Sequence, residues 1–416
     1  MILTLLASSC FAIQVSAEPL LELSLQDCVL AALQNNPGLK AKKLAIDQYR
    51  YLYLAGYNAY LPKVNLSHSL SRSGGDKVIP SNRWGLSISA SEPIFNLGAM
   101  SSIRTSKINY ERTFSDYKAE SAALRQSLYS AFMNLLVAQE QVRVDARILN
   151  IREQNSKLIK LKYDSGMESR GNMLYAEALY ELSKANSVKS GRALNMARRE
   201  LLTNMGVSSY RALTAEGEMT IPEYNLKTGA ASSVLKDIPQ VVLQEKSVEA
   251  QRERLMTAQY DLYPTLSASQ SMSWSGPSEF PAGRSWSMGL SLSLPLFSSG
   301  VTYYPNSTKA ARLALKISEE TLKDLKLSTE NDILNGYEDF LNSRDTAASN
   351  VNVLKANEER YNESQIKYMA GKISFIDLEN VEQSMVDAQQ NQLQYLRSAN
   401  NKKLSLEKIL GVGLED

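Results

Sequence analysis

Side chains able to do covalent chemistry are few and scattered. The chain has one histidine, His68, with no carboxylate or cysteine cluster beside it, and two cysteines, Cys10 and Cys28. No Gly-rich phosphate loop, nucleophile motif or metal-ligand spacing is present, so neither an enzyme nor a bound cofactor or metal is expected, and any energy coupling must belong to a partner. Asn306-Ser307-Thr308 fits a glycosylation pattern but carries no weight inside a helical stretch. The net charge of +2 comes from well-mixed charges, which does not point to nucleic acid. The polar residues that stand out are Asp377 and Glu379, followed by Asn380, just after Gly371. Carboxylates in the first turn of a helix meet the positive end of its dipole, each worth about 0.3–1 kcal/mol.

What must position these residues is a duplicated chain. Residues 37 to 206 are written again at 239 to 411. Pro37, Pro62, Pro93, Phe95, Gly98 and Lys107 recur 202 positions later as Pro239, Pro264, Pro295, Phe297, Gly300 and Lys309. Phe132, Tyr163, Gly166, Gly206 and Val207 return 205 positions later as Tyr337, Tyr368, Gly371, Gly411 and Val412. One three-residue length change, a stammer if it falls within a helix, lies between Lys107 and Phe132 or their counterparts.

Between the two prolines of each copy, apolar and small polar residues alternate with period two. In the second copy Trp286, Met288, Leu290, Leu292 and Leu294 alternate with Ser285, Ser287, Gly289, Ser291 and Ser293, and Leu266, Ala268, Met272 and Trp274 alternate with serines. In the first, Val64, Leu66 and Leu70 oppose Asn65, Ser67, Ser69 and Ser71, and Trp84, Leu86, Ile88 and Ala90 oppose Gly85, Ser87, Ser89 and Ser91. This pattern predicts four strands, about 63–92 and 265–294, each with one greasy and one wet face. A soluble sheet packed on a core would alternate too. The runs, however, are about nine or ten residues, the length of a tilted membrane strand. All three tryptophans, Trp84, Trp274 and Trp286, sit near strand ends, as an interfacial belt would place them. The rest of the chain reads as helix, so no second sheet is available to cover the apolar face. Four strands cannot close by themselves, and an open edge in hydrocarbon leaves backbone groups unsatisfied. Subunits must pool strands: eight make a side-chain-filled barrel, whereas twelve from three chains leave a lumen.

From Gly98 to Gly166 there is no proline, and Leu124, Leu128, Ala131, Leu135, Ala138, Val142 and Leu149 follow a coiled-coil seam interrupted by Asp145. The second copy runs from Pro305 to Gly371, with Ile333, Tyr337, Phe340, Ala347 and Leu354 on a similar face. Helices of about 65 residues extend roughly 100 Å. Shorter helices are expected over Leu25 to about Tyr60, Gln240 to about Tyr263, Asn172 to Thr203 and Phe375 to Leu410. No stretch of about 20 apolar residues suggests a helical membrane span. The expected division is a signal peptide over 1–17, a first repeat over 18–210, a connector over 211–236 containing Gly217, Pro222, Gly229 and Ser232, and a second repeat over 237–416. Met1 to Ala17 is apolar and ends in Val15-Ser16-Ala17, a small-residue cleavage pattern, without a basic residue near Met1. Leu6-Ala7-Ser8-Ser9-Cys10 fits a lipid-attachment box poorly. Cleavage after Ala17 would leave Cys28 alone, a small helix residue without a disulfide partner.

The chain resembles the TolC-like outer-membrane efflux proteins over essentially its whole mature length. The opening Leu23-Ser24-Leu25-Gln26-Asp27-Cys28 through Asn35-Asn36-Pro37 is similar to that family's first helix, and Tyr60-Leu61-Pro62 to its entry into the first strand. Pro93-Ile94-Phe95-Asn96-Leu97-Gly98 and Pro295-Leu296-Phe297-Ser298-Ser299-Gly300 resemble its strand-to-helix signature, and Lys162-Tyr163-Asp164-Ser165-Gly166 and Lys367-Tyr368-Met369-Ala370-Gly371 its helix-to-helix turn. The resemblance implies a mainly α protein with a transmembrane β-barrel, in which a duplicated helix–strand–strand–long helix–helix repeat assembles as a homotrimer. Its twelve-stranded barrel would sit in outer-membrane lipid above a helical periplasmic tunnel. Such a protein is a passive exit duct of tripartite efflux or type I secretion systems, docking to a periplasmic adaptor and, through it, an inner-membrane pump.

It further implies that Trp84, Leu86, Ile88, Trp274, Trp286, Leu290 and Leu292 face the membrane. Tyr163, Gly166, Asn172, Tyr368, Gly371, Asp377, Glu379 and Asn380 would form the periplasmic aperture and adaptor-docking tips. Asp377 falls on one acidic position of the family's mouth, and Asn380 stands at the next. Three-fold symmetry would turn Asp377 into a carboxylate ring that attracts cations and has raised pKa values by mutual repulsion. Asn172 stands where aspartate is common and Ile373 where some members carry arginine. A charged latch is therefore not expected at those positions, although Tyr163 and Tyr368 retain hydroxyls that can hydrogen-bond. The alternative is a soluble periplasmic coiled-coil or adaptor protein, extractable without detergent.

Overall fold

The computed structural model describes residues 21–76, 78–210, 212–225, 235–296 and 298–415. The expected leader, Cys10, Phe297 of the second strand-to-helix signature and residues 226–234 of the connector lie outside the described residues. In chain order the elements are β1 (Leu21–Leu23), α1 (Leu25–Asn35), α2 (Pro37–Gly56), β2 (Lys63–Gly75), β3 (Val78–Phe95), α3 (Leu97–Asp164), α4 (Arg170–Met205), β4 (Leu213–Ala215), α5 (Pro239–Tyr260), β5 (Thr265–Gly276), β6 (Gly283–Ser293), α6 (Tyr303–Met369) and α7 (Phe375–Ile409). Among the described residues no helix is long and apolar enough to cross a membrane.

The first helical stretch, expected to run unbroken to about Tyr60, is two helices. Pro37 has no N–H to donate and pushes the preceding residue out of helical space. Asn36 accordingly sits at φ −61°, ψ 120° and ends α1. α1 begins with a capping box, in which the Ser24 hydroxyl accepts from Asp27 N–H at 3.2 Å while the Asp27 carboxylate accepts from Ser24 N–H at 3.1 Å. Cys28 is buried on this helix, and burial pushes its thiol up to about 11. A parallel pairing of β1 with β4, Leu21 opposite Leu213 through Leu23 opposite Ala215, was not foreseen. At three residues each, these strands are too short to show periodicity.

The chain forms two compact units. One takes residues 37–124, 225–338 and 405–416 and contains the four long strands. They form an antiparallel sheet in the order β2–β3–β5–β6. Two hairpins, one from each copy, are joined through β3 and β5 with Leu86 opposite Trp274 and Ser89 opposite Ser271.

The other unit takes residues up to 36, 125–224 and 339–404. Its core runs along the seams of the long helices. On α6, Phe340, Ala347, Tyr361 and Tyr368 are buried at multiples of seven. On α7, Phe375, Leu378, Glu382, Met385, Gln389, Leu396 and Ala399 continue a three-and-four spacing. α4 contributes small residues at the same repeat, Ala176, Ser183, Ser190 and Ala197. A strict seven-residue repeat keeps one face of each helix inward only if the helices supercoil.

On α3 the seam departs from expectation. Leu124, Leu128, Ala131 and Leu135 are buried, but Ala138, Val142 and Leu149 are only half-buried. Below Leu135 the buried face passes through Val137, Val144, Asp145, Ile148, Arg152, Asn155 and Ile159. Asp145, read as an interruption, belongs to this face and accepts a 2.9 Å hydrogen bond from Gln141. Arg152 and Ile159 follow it at seven-residue steps, so the seam keeps its phase while changing from apolar to polar side chains.

Four helices end in the same left-handed glycine motif, at Gly166, Gly206, Gly371 and Gly411, with φ between 68° and 78°. In each, the glycine N–H bonds three residues back and the next N–H five back, as in Gly206 to Thr203 at 3.0 Å and Val207 to Leu202 at 2.9 Å. At Gly206 a Cβ would also meet the backbone carbonyl of Asn35 at 2.7 Å, whereas at Gly166 it would meet open space. Gly166→Ala is expected to cost about 1–2 kcal/mol from the left-handed conformation alone. Gly206→Ala should cost clearly more, because backbone cannot yield to the clash. Comparing the thermal unfolding of the two variants checks the difference.

Candidate functional site

Two groups of residues are built for function, the pair of turns that follow the long helices and the faces of the four-stranded sheet. At the turns, Lys162 to Ser169 and Lys367 to Ser374 have matching backbones. Gly166 N–H bonds Tyr163 carbonyl at 2.9 Å and Gly371 N–H bonds Tyr368 carbonyl at 3.0 Å. Each following helix is capped by a serine, Ser169 accepting from Asn172 N–H at 3.1 Å and Ser374 from Asp377 N–H at 3.2 Å.

The side chains break this symmetry. Tyr368 is buried and its hydroxyl donates to the Glu168 carboxylate at 3.2 Å. Glu168 also accepts from the Asn172 side-chain amide at 2.9 Å. Lys162 reaches across to the Tyr368 carbonyl at 3.2 Å, with its ammonium 3.7 Å from the centre of the Tyr368 ring. Burial, followed by the neighbouring Glu168 carboxylate, pushes the Tyr368 phenol well above its ordinary range, so it remains a donor. The two turns are therefore latched through Glu168 and Lys162, neither of which stood out in the sequence. Glu168 lies between the turn glycine and the helix cap, where a carboxylate reads simply as solvated loop. Its counterpart 205 positions on is Ile373, and that single difference between the copies was the available signal.

Asp377 and Asn380 are exposed and Glu379 is half-buried, accepting from the Tyr175 hydroxyl at 3.3 Å. Asp377 closes a capping box, accepting from Ser374 N–H at 3.0 Å and from the Ser374 hydroxyl at 2.6 Å. Those bonds hold its carboxyl below the usual aspartate range, the opposite sign to the shift expected of a repelling ring. Within one chain the capping geometry decides, and the carboxylate stays charged at neutral pH.

Further along the helices lies a buried ion pair that the sequence reading did not single out. Arg152 of α3 donates to the Glu382 carboxylate of α7 at 3.1 Å and to the Gln383 side chain at 2.9 Å. The Asn155 amide donates to the second Glu382 oxygen. Both charged side chains are more than nine-tenths buried. Burial pushes the Glu382 carboxyl up more than Arg152 and Asn155 pull it down. The Tyr361 phenol packed nearby rises to about 12, through burial and then the Glu382 charge. The signal was a charged residue at seam phase, since Arg152 is seven residues from both Asp145 and Ile159.

In the sheet, register gathers each class of side chain on one face. Leu66 lies opposite Ile88 and Leu70 opposite Trp84; Ile88 lies opposite Met272, Met272 opposite Trp286, Ala268 opposite Leu290 and Leu266 opposite Leu292. Trp84, Leu86, Ile88, Trp274, Trp286, Leu290 and Leu292 therefore share one face. It is bare in the single chain, with Leu290 74% and Leu292 70% exposed. All three tryptophans lie on it toward the hairpin ends. The other face is a serine ladder with direct hydroxyl pairs, Ser67 with Ser87 at 2.7 Å, Ser271 with Ser287 at 2.8 Å and Ser273 with Ser285 at 2.8 Å. His68 stacks on Trp84 with ring centres 5.4 Å apart. No group of three or more His, Cys, Asp or Glu able to hold a metal occurs among the described residues.

An amphipathic sheet on long, capped coiled-coil helices, written twice, defines an outer-membrane channel subunit. Residues 29–207 and 230–412 match the family described as Outer membrane efflux protein, and the chain belongs to that family. Among relatives, the alkaline protease secretion protein AprF of Pseudomonas aeruginosa is 24% identical over 394 residues, 88% of this chain and 80% of its own. The cation efflux system protein CusC of Escherichia coli K12 is 20% identical over 402 residues, 92% of this chain and 85% of its own. A crystal structure of CusC superposes with a TM-score of 0.84 at 18% identity, covering 94% of this chain and 92% of that one. The open state of the Neisseria gonorrhoeae MtrE outer membrane channel gives 0.81 at 21%, covering 94% and 89%. The protein is an outer-membrane export duct of the tripartite efflux or type I secretion kind, extending into the periplasm, with the barrel-and-helical-tunnel fold of that family.

Removing one member of the buried pair strands the other. Arg152→Ala should destabilise the protein by about 3–5 kcal/mol near pH 7.5. A carboxyl whose folded pKa is raised contributes most to stability when protonated, and that contribution fades as pH rises from the ordinary glutamate range through the folded pKa. The penalty of Arg152→Ala should therefore shrink toward pH 5, as Glu382 takes up a proton. Denaturant unfolding of variant and parent across that range checks both size and sign.

Proposed function

We propose that three copies of this chain pool their strands into one twelve-stranded barrel, and that the paired turns form the periplasmic aperture and the docking tips for an adaptor protein coupled to an inner-membrane pump. The observation that carries the assembly is the sheet itself: four strands, two unpaired edges at β2 and β6, and one face largely apolar along its middle, with Arg72, Arg284 and Glu92 only toward the strand ends. Lipid satisfies the apolar face, the serine face lines a wet passage, and only neighbouring chains can satisfy the edges. Trp84, Leu86, Ile88, Trp274, Trp286, Leu290 and Leu292 are then membrane-facing.

At the tips, Tyr163, Gly166, Asn172, Tyr368 and Gly371 shape the turns, and Asp377 with Asn380 and Glu379 lines the mouth. The Ser374 bonds support this role for Asp377, because they fix a charged carboxylate in one direction at the start of α7. Three such carboxylates on a symmetry axis attract cations and repel anions. The docking reading is supported by apolar side chains left exposed around both turns: Leu161, Met167, Ile366, Met369 and Ile376. The duct is passive, and cargo is chosen by the pump. Relatives are named for an alkaline protease and for cations, cargoes that share no chemistry.

Purified in detergent and reconstituted in a planar bilayer, the protein should conduct. Asp377→Ala should raise conductance and lower cation preference, read from the reversal potential in a salt gradient. A current unchanged by the substitution would remove Asp377 from the aperture.

A further inference from the structure

The serine face of the sheet carries charge of only one sign. By register, Ser91 lies opposite Lys63 and Ser71 opposite Arg83, so both cations stand in the serine rows. Arg83 confirms its face by its contact, donating to the Ser275 hydroxyl on β5 at 3.0 Å, two strand positions from the Ser273–Ser285 pair. No aspartate or glutamate of β2, β3, β5 or β6 shares that face. Glu92, opposite Ala268, points to the apolar side with Arg284, Arg72 and His68. Asp76 and Glu279 lie in the segments joining the hairpin strands. Neither Lys63 nor Arg83 forms an ion pair with a carboxylate among the described residues. They are separated by eight positions along β2, roughly 27 Å at about 3.4 Å per residue. One therefore stands where the sheet meets the helices and the other toward the hairpin ends.

We propose that Lys63 and Arg83 form two cationic rings in the barrel lumen and make this part of the duct a passage that favours anionic solutes. The inference rests on the trimeric barrel proposed above, which multiplies each residue by three around one passage. Serine hydroxyls between the rings donate readily to carboxylates, phosphates and sulfonates but carry no charge of their own. The rings therefore set the sign of the lumen potential. Low-dielectric walls lined by one sign of charge focus the field and raise the local concentration of the opposite ion. The acidic aperture at Asp377 would act on the same solute in series and with opposite sign, so the two charged regions are separable by where a probe reacts.

The test places a reporter between the rings. Ser87→Cys in the full-length protein also carrying Cys10→Ser, in proteoliposomes, is treated with an anionic and with a cationic water-soluble methanethiosulfonate; native Cys28 is buried. The thiolate attacks the reagent's sulfenyl sulfur, forming a mixed disulfide and expelling methanesulfinate. The anionic reagent should react faster relative to its rate with a free thiol, and Lys63→Gln with Arg83→Gln should lower that ratio at least about threefold at low salt. The difference should collapse at high salt, because the screening length falls from about 30 Å at 0.01 M to about 3 Å at 1 M. Equal ratios with and without the two cations would overturn the proposal while leaving the wet lumen standing. A cysteine that reacts with neither reagent would overturn the lumen itself, and the proposal with it.

Discussion

A backbone amide or carbonyl in hydrocarbon has no water to bond, and that constraint governs this chain. The sheet has four strands and two free edges, so a single copy cannot meet the constraint. The free edges belong to different strands, β2 and β6, and a contact between them runs head to tail. Repeated at a fixed rotation it closes into a ring, and three copies make twelve strands. The alternation of side chains follows from the same requirement. Once the barrel closes, one face of every strand meets lipid and the other meets water. A one-residue slip in any of the three pairings would move leucines into the lumen and serines into lipid, so the side-chain pattern locks the register.

The long helices solve a different problem with the same economy. A seven-residue repeat, carried by Ile333, Phe340, Ala347, Tyr361 and Tyr368 on α6 and by small residues on α4, lets helices pack along their length without a globular core. Toward the turns this packing stops being purely apolar. Arg152, Asn155 and Glu382 are buried there, and Lys162, Glu168 and Asn172 surround Tyr368. Apolar seams tolerate a helix sliding by a turn, whereas these hydrogen bonds do not. The polar end of the bundle thus specifies how the turns sit, which an aperture and a docking surface both require.

Much of this was legible in the sequence because duplication repeats every signal. The strands and their faces appear twice 202 positions apart, and the later parts of the long helices with the turn glycines at 166 and 371 appear twice 205 positions apart. The family resemblance supplied the assembly and the mouth residues. What escaped was information that periodicity does not hold. Pro37 splits the first helix through the conformation it forces on Asn36. β1 and β4 pair over three residues and leave no pattern. With Asn172 and Ile373 in place of charged residues no charged latch was expected there, but the Tyr368 hydroxyl does hydrogen-bond, and its partner Glu168, which also takes the Asn172 amide, was missed because hydrogen bonds depend on reach as well as position. Asp377 was read by its charge. Its bonds to Ser374 additionally make it a cap and, within one chain, hold its carboxyl below the usual aspartate range.

Closure of the sheet between chains is the claim on which the rest stands, and amide hydrogen exchange on the membrane-reconstituted protein tests it most directly. In a closed barrel the outward amides of β2 and β6 are bonded to neighbouring chains and should exchange as slowly as those of β3 and β5, which are paired on both sides within the chain. Outer-edge amides of β2 and β6 that exchange freely while β3 and β5 stay protected would contradict it, and would mean that each chain carries an open four-stranded sheet.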